Sequence, residues 1–371
     1  MSFKLLKVMF TVGKFLVITP SRIEMGEDAF PRKAHVFLMI GLVTAGLLAS
    51  SIYRGPYYME YIPMKMATQI LLDASLYMLN IYSILTTIRK KPQWCRLIKN
   101  LKKTQNISIG ETQNYWWFAL ANAIFWVIQF YESFIFTKMM GVGFYAQYGV
   151  EYVQLYLQFF IYFLLQVFLK MFKSRYQSIT KTLSDELYLM VQLQRRPLVR
   201  EGHSLTYLNK IKHNICVLKE TVDTFNDIFG WPIVFIITFT SLQVLIYLQG
   251  LFVRSRRTLE TIIYNVAVIL WHCAATFFNI FLCDSVSHEG QKILTLAYSM
   301  EKYLLKQGEN ENEELSRFIS VVKDNYPNFS AARFFSVDRT TVFGIFDAII
   351  TFLIVMIQFE SNHESKGSGF D

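Results

Sequence analysis

The chain has 371 residues, of which 53% are hydrophobic and 16% aromatic but only 18% charged. Soluble domains average about 25% charged residues, so this composition argues against a soluble protein and indicates membrane-spanning segments. The net charge of +9 could indicate a nucleic-acid-binding protein, but the basic residues lie between long apolar runs. Membrane topology explains them better, and we expect no nucleic-acid partner.

No pattern in the chain indicates an enzyme. It contains no P-loop, no Gly-x-Ser-x-Gly motif and no His-Glu-x-x-His zinc motif. The cysteines Cys95, Cys216, Cys273 and Cys283 show neither CxxC nor Cys/His metal spacing. We therefore expect no catalytic residue, no metal site and no cofactor.

Residues 1–33 predict a cytoplasmic amphipathic segment. Polar residues recur every three or four positions, and apolar residues occupy the other side of the predicted helix. The polar side is formed by Lys4, Lys7, Thr11 and Lys14, and the apolar side by Leu5, Met9, Phe10, Val12 and Leu16. Lysines interrupt the apolar run, which argues against a signal peptide. A basic helix lying on the membrane surface fits this pattern, and an unstructured tail is the alternative.

Seven segments are long and apolar enough to cross a bilayer, which needs about 20 residues. They are residues 34–52, 66–88, 115–137, 148–170, 231–253, 260–283 and 338–359. The predicted fold is therefore an all-α, seven-transmembrane protein with its first six spans inside residues 34–283. Gly230-Trp231-Pro232 is predicted to mark the start of the fifth span, because proline is tolerated in a first helical turn.

The basic residues between the spans predict the orientation. Of the 37 Lys and Arg residues, 28 fall on the side that carries the N-terminus and six on the opposite side. Because short cytoplasmic loops are enriched in Lys and Arg, we expect a cytoplasmic N-terminus and an extracellular C-terminal tail at 360–371. The predicted localisation is the cell membrane, crossed several times.

Apolar residues also recur at helical spacing outside the spans. Leu208, Ile211, Ile215, Leu218, Val222 and Phe225 form the longest such seam. We expect the helices to extend into the cytoplasm over about 173–228 and to pack with residues 284–337 as an anchor bundle. The alternative is that these apolar faces contact another protein.

The last span carries a stripe of small and polar residues on an otherwise apolar helix. The stripe consists of Gly344, Asp347, Ala348, Thr351, Val355 and Gln358. Polar residues inside a membrane usually face water or the interior of a bundle. Around a symmetry axis the stripe could line a pore, with Val355 as an apolar constriction. Small residues could equally serve close helix packing, and the spacing alone does not separate these two interpretations.

The end of this span resembles a known motif. Thr351-Phe352-Leu353-Ile354-Val355-Met356-Ile357-Gln358-Phe359 resembles the insect gustatory receptor signature of Thr-Tyr, five hydrophobic residues and Gln-Phe. The segment Ala332–Arg339, together with Asp284 and Glu289, is also similar to that family. Phe352 departs from the usual Tyr, Arg333 from a frequent Gly, and Leu353 from the Glu that is frequent in sugar receptors.

The resemblance implies a ligand-gated, non-selective cation channel related to insect odorant receptors. It implies a homotetramer, possibly with other gustatory receptor subunits, that binds a small-molecule tastant and is surrounded by membrane lipid. The last helix would form one central pore, and each subunit would hold a ligand pocket that opens outward. The pore and gate residues would be Asp347, Thr351, Val355, Gln358 and Phe359.

Candidate pocket residues are the polar and aromatic side chains in the outer halves of spans 2 to 6. They are Gln69, Asp73, Gln129, Glu132, Gln154, Gln158, Gln243, Tyr247, Tyr264 and Asn265. Such groups on an aromatic wall suit ligand recognition, and polar contacts between helices are the alternative. Two other functions remain as alternatives. A G-protein-coupled receptor would need an external N-terminus, and a transporter would need repeated halves or broken helices.

Overall fold

The structure, a computed structural model, describes residues 3–20, 31, 33–59, 63–104, 115–193, 203–252, 258–304 and 309–367. Within these residues, seven helices are long and apolar enough to span a membrane, as the sequence predicts. They are α2 (Lys33–Met59), α3 (Pro63–Arg89), α5 (Tyr115–Met140), α6 (Gly143–Leu193), α7 (His203–Phe252), α8 (Leu259–Leu304) and α10 (Arg339–Gly367). The all-α, seven-span fold class is thus confirmed.

The remaining elements are short and lie between or before the spans. They are α1 (Phe3–Phe15), α4 (Lys91–Lys103), α9 (Glu309–Asp324), β1 (Ser330–Ala331) and β2 (Phe335–Ser336). Helix α4 is absent from the sequence prediction, although Trp94, Leu97, Ile98 and Leu101 recur at helical spacing and are buried. α4 starts directly after the end of α3 and packs against α7.

Three of the spans are much longer than a membrane requires. Helices α6, α7 and α8 have 51, 50 and 46 residues, more than twice the roughly 20 needed to cross a bilayer. The seam predicted from Leu208 to Phe225 is buried within the chain itself, together with Leu315, Phe318 and Val322 of α9. The extended helices therefore pack with α9 into one bundle beyond the spans.

Helix α7 passes through the position where the sequence predicted a helix start. Pro232 lies inside one continuous helix from His203 to Phe252, so Gly230-Trp231-Pro232 does not separate a span from its extension. Because proline has no backbone N–H, the carbonyl of Ile228 loses its helical donor at this point. Packing of Ile228 and Phe229 in the core keeps the helix together.

The apolar side of α1 meets protein. Leu5, Met9 and Phe10 belong to the main core, and the ring of Phe10 stands edge-on to Trp94 of α4, with 6.2 Å between centroids. The predicted basic helix is present, but the apolar side expected to enter the membrane packs against Trp94 of α4 and against α6. Lys7 and Lys14 are exposed on the other side.

A two-stranded hairpin leads into α10 where only helices were expected. Ser330 pairs with Ser336 and Ala331 with Phe335. The tip residues Ala332 and Arg333 have φ of 50° and 66°, the left-handed values of the turn that matches strand twist. This turn usually contains Asn or Gly, and because neither is present the hairpin could not be predicted from the sequence.

Asp338 caps the first turn of α10. Its carboxylate accepts the Thr340 backbone N–H at 2.9 Å, and its own N–H donates to the Thr341 hydroxyl at 3.3 Å. Such reciprocal bonds satisfy N–H groups that have no partner in the helix. Hydrogen bonds from the hydroxyls of Thr340 and Ser336 help to hold the pKa of Asp338 below its usual value. α10 then continues past the predicted end at 359 as far as Gly367.

Candidate functional site

One polar stripe on α6 organises the interior of the bundle. Gln147, Glu151, Gln154, Gln158 and Tyr162 follow one another at spacings of four, three, four and four residues. This spacing places them on one face of a helix, and the face is covered because α6 contacts α2, α3, α7 and α8. The stripe includes the predicted pocket residues Gln154 and Gln158, and the other three are not among the predicted pocket residues.

A buried ion pair joins three helices at one end of the stripe. The guanidinium of Arg54 on α2 lies 3.1 Å from Asp73 of α3 and 3.7 Å from Glu151 of α6, and Arg54 is only 2% exposed. It also lies over the ring of Tyr148, 5.2 Å from the centroid. The side-chain amide of Gln69 lies 3.5 Å from Asp73. The predicted residues Gln69 and Asp73 are thus together, next to Arg54, which lies outside the predicted first span at 34–52.

A second cluster lies at the same end, on α5, α7 and α8. The hydroxyls of Tyr247 and Tyr264 are 3.0 Å apart, and the carboxyl of Glu132 lies next to Tyr264. The ring of Phe136 stands edge-on to Tyr264, with 5.9 Å between centroids. Three predicted pocket residues therefore meet at one point, on an aromatic wall.

Deeper in the bundle, the polar groups are paired across helices. The hydroxyl of Tyr162 lies 2.8 Å from Thr240 of α7 and 3.0 Å from Thr276 of α8. Gln158 donates to the same tyrosine oxygen at 3.3 Å. This cluster ties α6, α7 and α8 together, which is the helix-to-helix role that was the alternative for such residues.

Several predicted pocket residues keep a buried polar atom without a partner in the described part of the chain. These atoms are Gln129 Oε1, Gln154 Nε2, Gln158 Oε1 and Gln243 Oε1. Asn265 is buried as well and lies against Gly250 of α7, where any Cβ would come within 3.3 Å of its side-chain nitrogen. Buried polar atoms normally have a partner. The three amide oxygens can therefore accept hydrogen bonds from a bound molecule, and Gln154 Nε2 can donate one.

The stripe on α10 is largely exposed, and two of its members, Gly344 and Ala348, face the groove between α10 and α7. Asp347, Ala348, Thr351, Gln358 and Phe359 are exposed, and Val355 is half-buried. The opposite face packs inward through Ile345, Ile349 and Met356. A Cβ at Gly344 would meet nothing within 4 Å, so the small residues of the stripe do not serve close packing within the described chain.

A groove of about 540 Å³ lies beside this stripe, between α7 and α10. Ile237, Ser241 and Leu245 line it from α7, and Gly344, Ala348 and Phe352 line it from α10. Beside this groove, α10 contacts α7 through its inner face, and the hairpin before α10 contacts α7 as well.

Sequence comparison identifies the family. The profile described as "7tm Chemosensory receptor" matches residues 6–363. The chain is 28% identical over 97 residues to Gustatory receptor 68a of Drosophila melanogaster, covering 26% of this chain and 25% of that one. It is 40% identical over 57 residues to Putative gustatory receptor 28b of the same species, covering 15% and 12%. The matched segments thus span a quarter or less of either relative.

Solved structures share the fold over nearly the whole chain. The insect olfactory receptor OR5 from Machilis hrabei matches with a TM-score of 0.65 at 11% identity, covering 96% of this chain and 98% of that one. The same receptor in complex with eugenol matches with a TM-score of 0.62 at 12% identity, covering 96% and 98%. The family and the fold are those of receptors, as the absence of enzyme motifs suggested. This multi-pass membrane protein belongs to the seven-transmembrane chemosensory receptor family of insects.

Proposed function

We propose that the chain is a gustatory receptor that acts as a tastant-gated, non-selective cation channel. Four copies of the chain, or copies of it together with other gustatory receptor subunits, would surround one central pore formed by α10. One observation carries the proposal: the stripe from Gly344 to Gln358 is exposed or half-buried within its own chain, although it is the most polar face of an apolar helix. Such a face needs water or a partner, and a symmetric pore supplies both.

Within the pore, the order of residues along α10 suggests their roles. Gln358 would ring the outer mouth, Val355 one turn deeper would form the apolar gate, and Asp347 would favour cations. Thr351 would line the wall between them, and Phe359 would support the mouth. The exposed carboxyl of Asp347 supports a cation path, since a carboxylate facing lipid would be costly.

The ligand pocket would lie between the Arg54–Asp73–Glu151 cluster and the Glu132–Tyr247–Tyr264 cluster. Both clusters sit at the end of the spans that the basic residues predict to be extracellular. Unpartnered amide groups on Gln129, Gln154 and Gln243 supply hydrogen-bonding capacity beside aromatic rings. Eugenol, bound by the structurally similar olfactory receptor, supports a small organic molecule as the ligand. A ligand opens the channel only if it binds the open state more tightly.

The orientation proposed here puts the N-terminus in the cytoplasm and the C-terminus outside. It assigns the bundle of α1, α4, α9 and the extended ends of α6 to α8 to the cytoplasm, as an anchor between subunits. The distribution of Lys and Arg supports this assignment. A G-protein-coupled receptor would require the opposite orientation.

The test is electrical. Expressed alone in cells without added G protein, and screened with a mixed tastant panel, the receptor should give a cation current with its agonist. Gln358→Ala should change ion permeability or block, because it removes the amides at the proposed mouth. Gln177→Ala, exposed on α6, is the matched control and should conduct normally. Unchanged permeation in Gln358→Ala would refute the pore assignment, and currents that require a G protein would refute the channel.

A further inference from the structure

We propose that α1 and α4 together form a binding surface for the headgroups of anionic phospholipids. The surface is defined by Lys7 and Lys14 of α1 and by Lys99, Lys102 and Lys103 of α4, all exposed. Neither helix contains an Asp or Glu residue. Clusters of about four to eight basic residues beside a membrane span are typical of sites for anionic lipid.

The two helices are fixed where the spans end. α3 finishes at Arg89 and α4 starts at Lys91, so α4 begins where the chain leaves the membrane. Behind α1, Val17 packs with Val36 of α2 and Ile84 of α3. The backbone carbonyl of Val17 accepts a hydrogen bond from the Thr87 hydroxyl at 3.1 Å. The lysines are thus held at headgroup level by contacts with two membrane helices.

Packing also determines which way the lysines face. The inner side of α4 is buried and consists of Trp94, Leu97 and Leu101. The inner side of α1 is likewise buried and includes Leu6 and Phe10. The polar sides of both helices must therefore point away from the protein.

The exposed side of α1 combines charge with apolar surface. Lys7 and Lys14 are seven residues apart, and beside them the exposed Val8 and Phe15 are also seven apart. Phe15 is 70% exposed. A row of lysines next to a row of apolar side chains is the pattern of a helix that lies in a membrane interface. This pattern favours a lipid surface over a soluble phosphate or an acidic protein.

Charge balance is consistent with this assignment. Several basic residues elsewhere have acidic partners, for example Lys219 with Asp223 at 2.5 Å and Arg317 with Glu313 at 2.6 Å. None of the five surface lysines is within ion-pair distance of a carboxylate in the described residues. An anionic partner outside the chain would neutralise them.

The experiment titrates purified full-length receptor in detergent with dioctanoyl phosphatidylserine and dioctanoyl phosphatidylcholine. The wild type should bind dioctanoyl phosphatidylserine at least about tenfold more tightly than dioctanoyl phosphatidylcholine. Replacing Lys99, Lys102 and Lys103 together by Gln should raise its Kd for the serine lipid at least about tenfold. The control replaces the exposed Lys181, Lys302 and Lys323 by Gln and should stay within about twofold of wild type.

Three results would overturn the proposal. They are equal affinity for the two lipids, an unchanged Kd in the α4 variant, or an equal loss in the control. Glycerophosphoserine, which lacks acyl chains, tests the source: binding as tight as that of the lipid would mean a soluble phosphate site. If the α4 variant does not fold, Lys7→Gln/Lys14→Gln on α1 must weaken binding of the serine lipid for the proposal to stand.

Discussion

Gly230 of α7 lies directly against Ala332 at the tip of the hairpin. A Cβ added to Gly230 would stand 2.8 Å from the Ala332 nitrogen and 3.0 Å from its Cα. These are backbone atoms, which cannot move aside as a flexible side chain can. Asn226, one turn earlier, donates to the Asn328 carbonyl at 2.8 Å and accepts from the Ser330 N–H at 3.2 Å. The hairpin that leads into α10 is thus seated on one turn of α7.

Gly230→Ala should therefore destabilise this seat. Overpacking a tight contact typically costs about 1–3 kcal/mol, which outweighs the gain of up to about 1 kcal/mol from replacing a helical glycine. Thermal unfolding of the purified receptor should show a lower midpoint. Gly41→Ala in α2 is the control, since its Cβ would meet nothing within 4 Å. An unchanged midpoint in Gly230→Ala would show that the hairpin does not sit there.

Arg333 combines an unfavourable backbone with a weak ion pair. Its left-handed φ of 66° costs about 1 kcal/mol or more for a residue with a Cβ. Its contact with Asp227 at 3.1 Å is exposed and contributes at most about 1 kcal/mol. Arg333→Gly should leave the unfolding midpoint equal or higher, whereas Arg333→Ala, which keeps the strain but loses the ion pair, should lower it. Equal midpoints for the two variants would contradict this account.

Arg54 is the buried charge on which three helices depend. Arg54→Ala would leave Asp73 and Glu151 facing each other without a cation, and loss of one partner from a buried ion pair costs about 3–5 kcal/mol. We expect a large fall in the unfolding midpoint or a failure to reach the cell surface. Lys138→Ala, which breaks the exposed pair with Glu260 at 3.3 Å, should cost less than about 1 kcal/mol. Similar effects in both variants would argue against a buried role for Arg54.

The cap at Asp338 should make stability depend on pH. Because its pKa is lowered in the folded protein, its charged form contributes stability above the unfolded value of about 3.9. That contribution is lost as pH falls through the lower, folded pKa. Asp338→Ala should cost about 1 kcal/mol at pH 7. Asp338→Asn should keep most of the cap and remove this part of the pH dependence, which unfolding midpoints measured from pH 7 to pH 3 would test.

The hydroxyl of Tyr264 connects the second polar cluster to the proposed pocket. Tyr264→Phe removes the hydroxyl that lies next to Tyr247 and Glu132 while keeping the ring. An agonist group that hydrogen bonds to this hydroxyl would be left buried and unpaired in the variant, which costs about 1–3 kcal/mol of binding free energy. About tenfold more agonist should therefore be needed for half-maximal current. Tyr188→Phe, exposed on α6, should leave the response unchanged. An unaltered half-maximal concentration in Tyr264→Phe would place the ligand elsewhere.

The spans and the stripe on α10 could be predicted because both are local properties. Hydropathy over about 20 residues and a three-to-four spacing are visible in the sequence without any tertiary contact. The seam from Leu208 to Phe225 was predictable for the same reason. The spacing of Trp94, Leu97, Ile98 and Leu101 carried the same signal for α4, hidden among lysines.

The features that were missed depend on contacts between distant segments. Arg54 meets Asp73 and Glu151 only because α2, α3 and α6 come together, and no spacing within α2 shows it. Ala332 and Arg333 take a conformation that the hairpin and its seat on α7 impose against their own preference. The apolar side of α1 was recognised, but a periodic pattern cannot tell whether protein or lipid covers it.

The uninterrupted course of α7 has a mechanical consequence. Tyr247 and Gly230 lie on this one helix, about 25 Å apart at 1.5 Å per residue. No loop between them can absorb movement, so a tilt of α7 at Tyr247 also displaces Gly230. The helix is weakest beside Pro232, where one backbone hydrogen bond is missing. Pro232 is two residues from Gly230, on which the hairpin is seated. Any bend in α7 will therefore concentrate next to its contact with the hairpin that leads into α10.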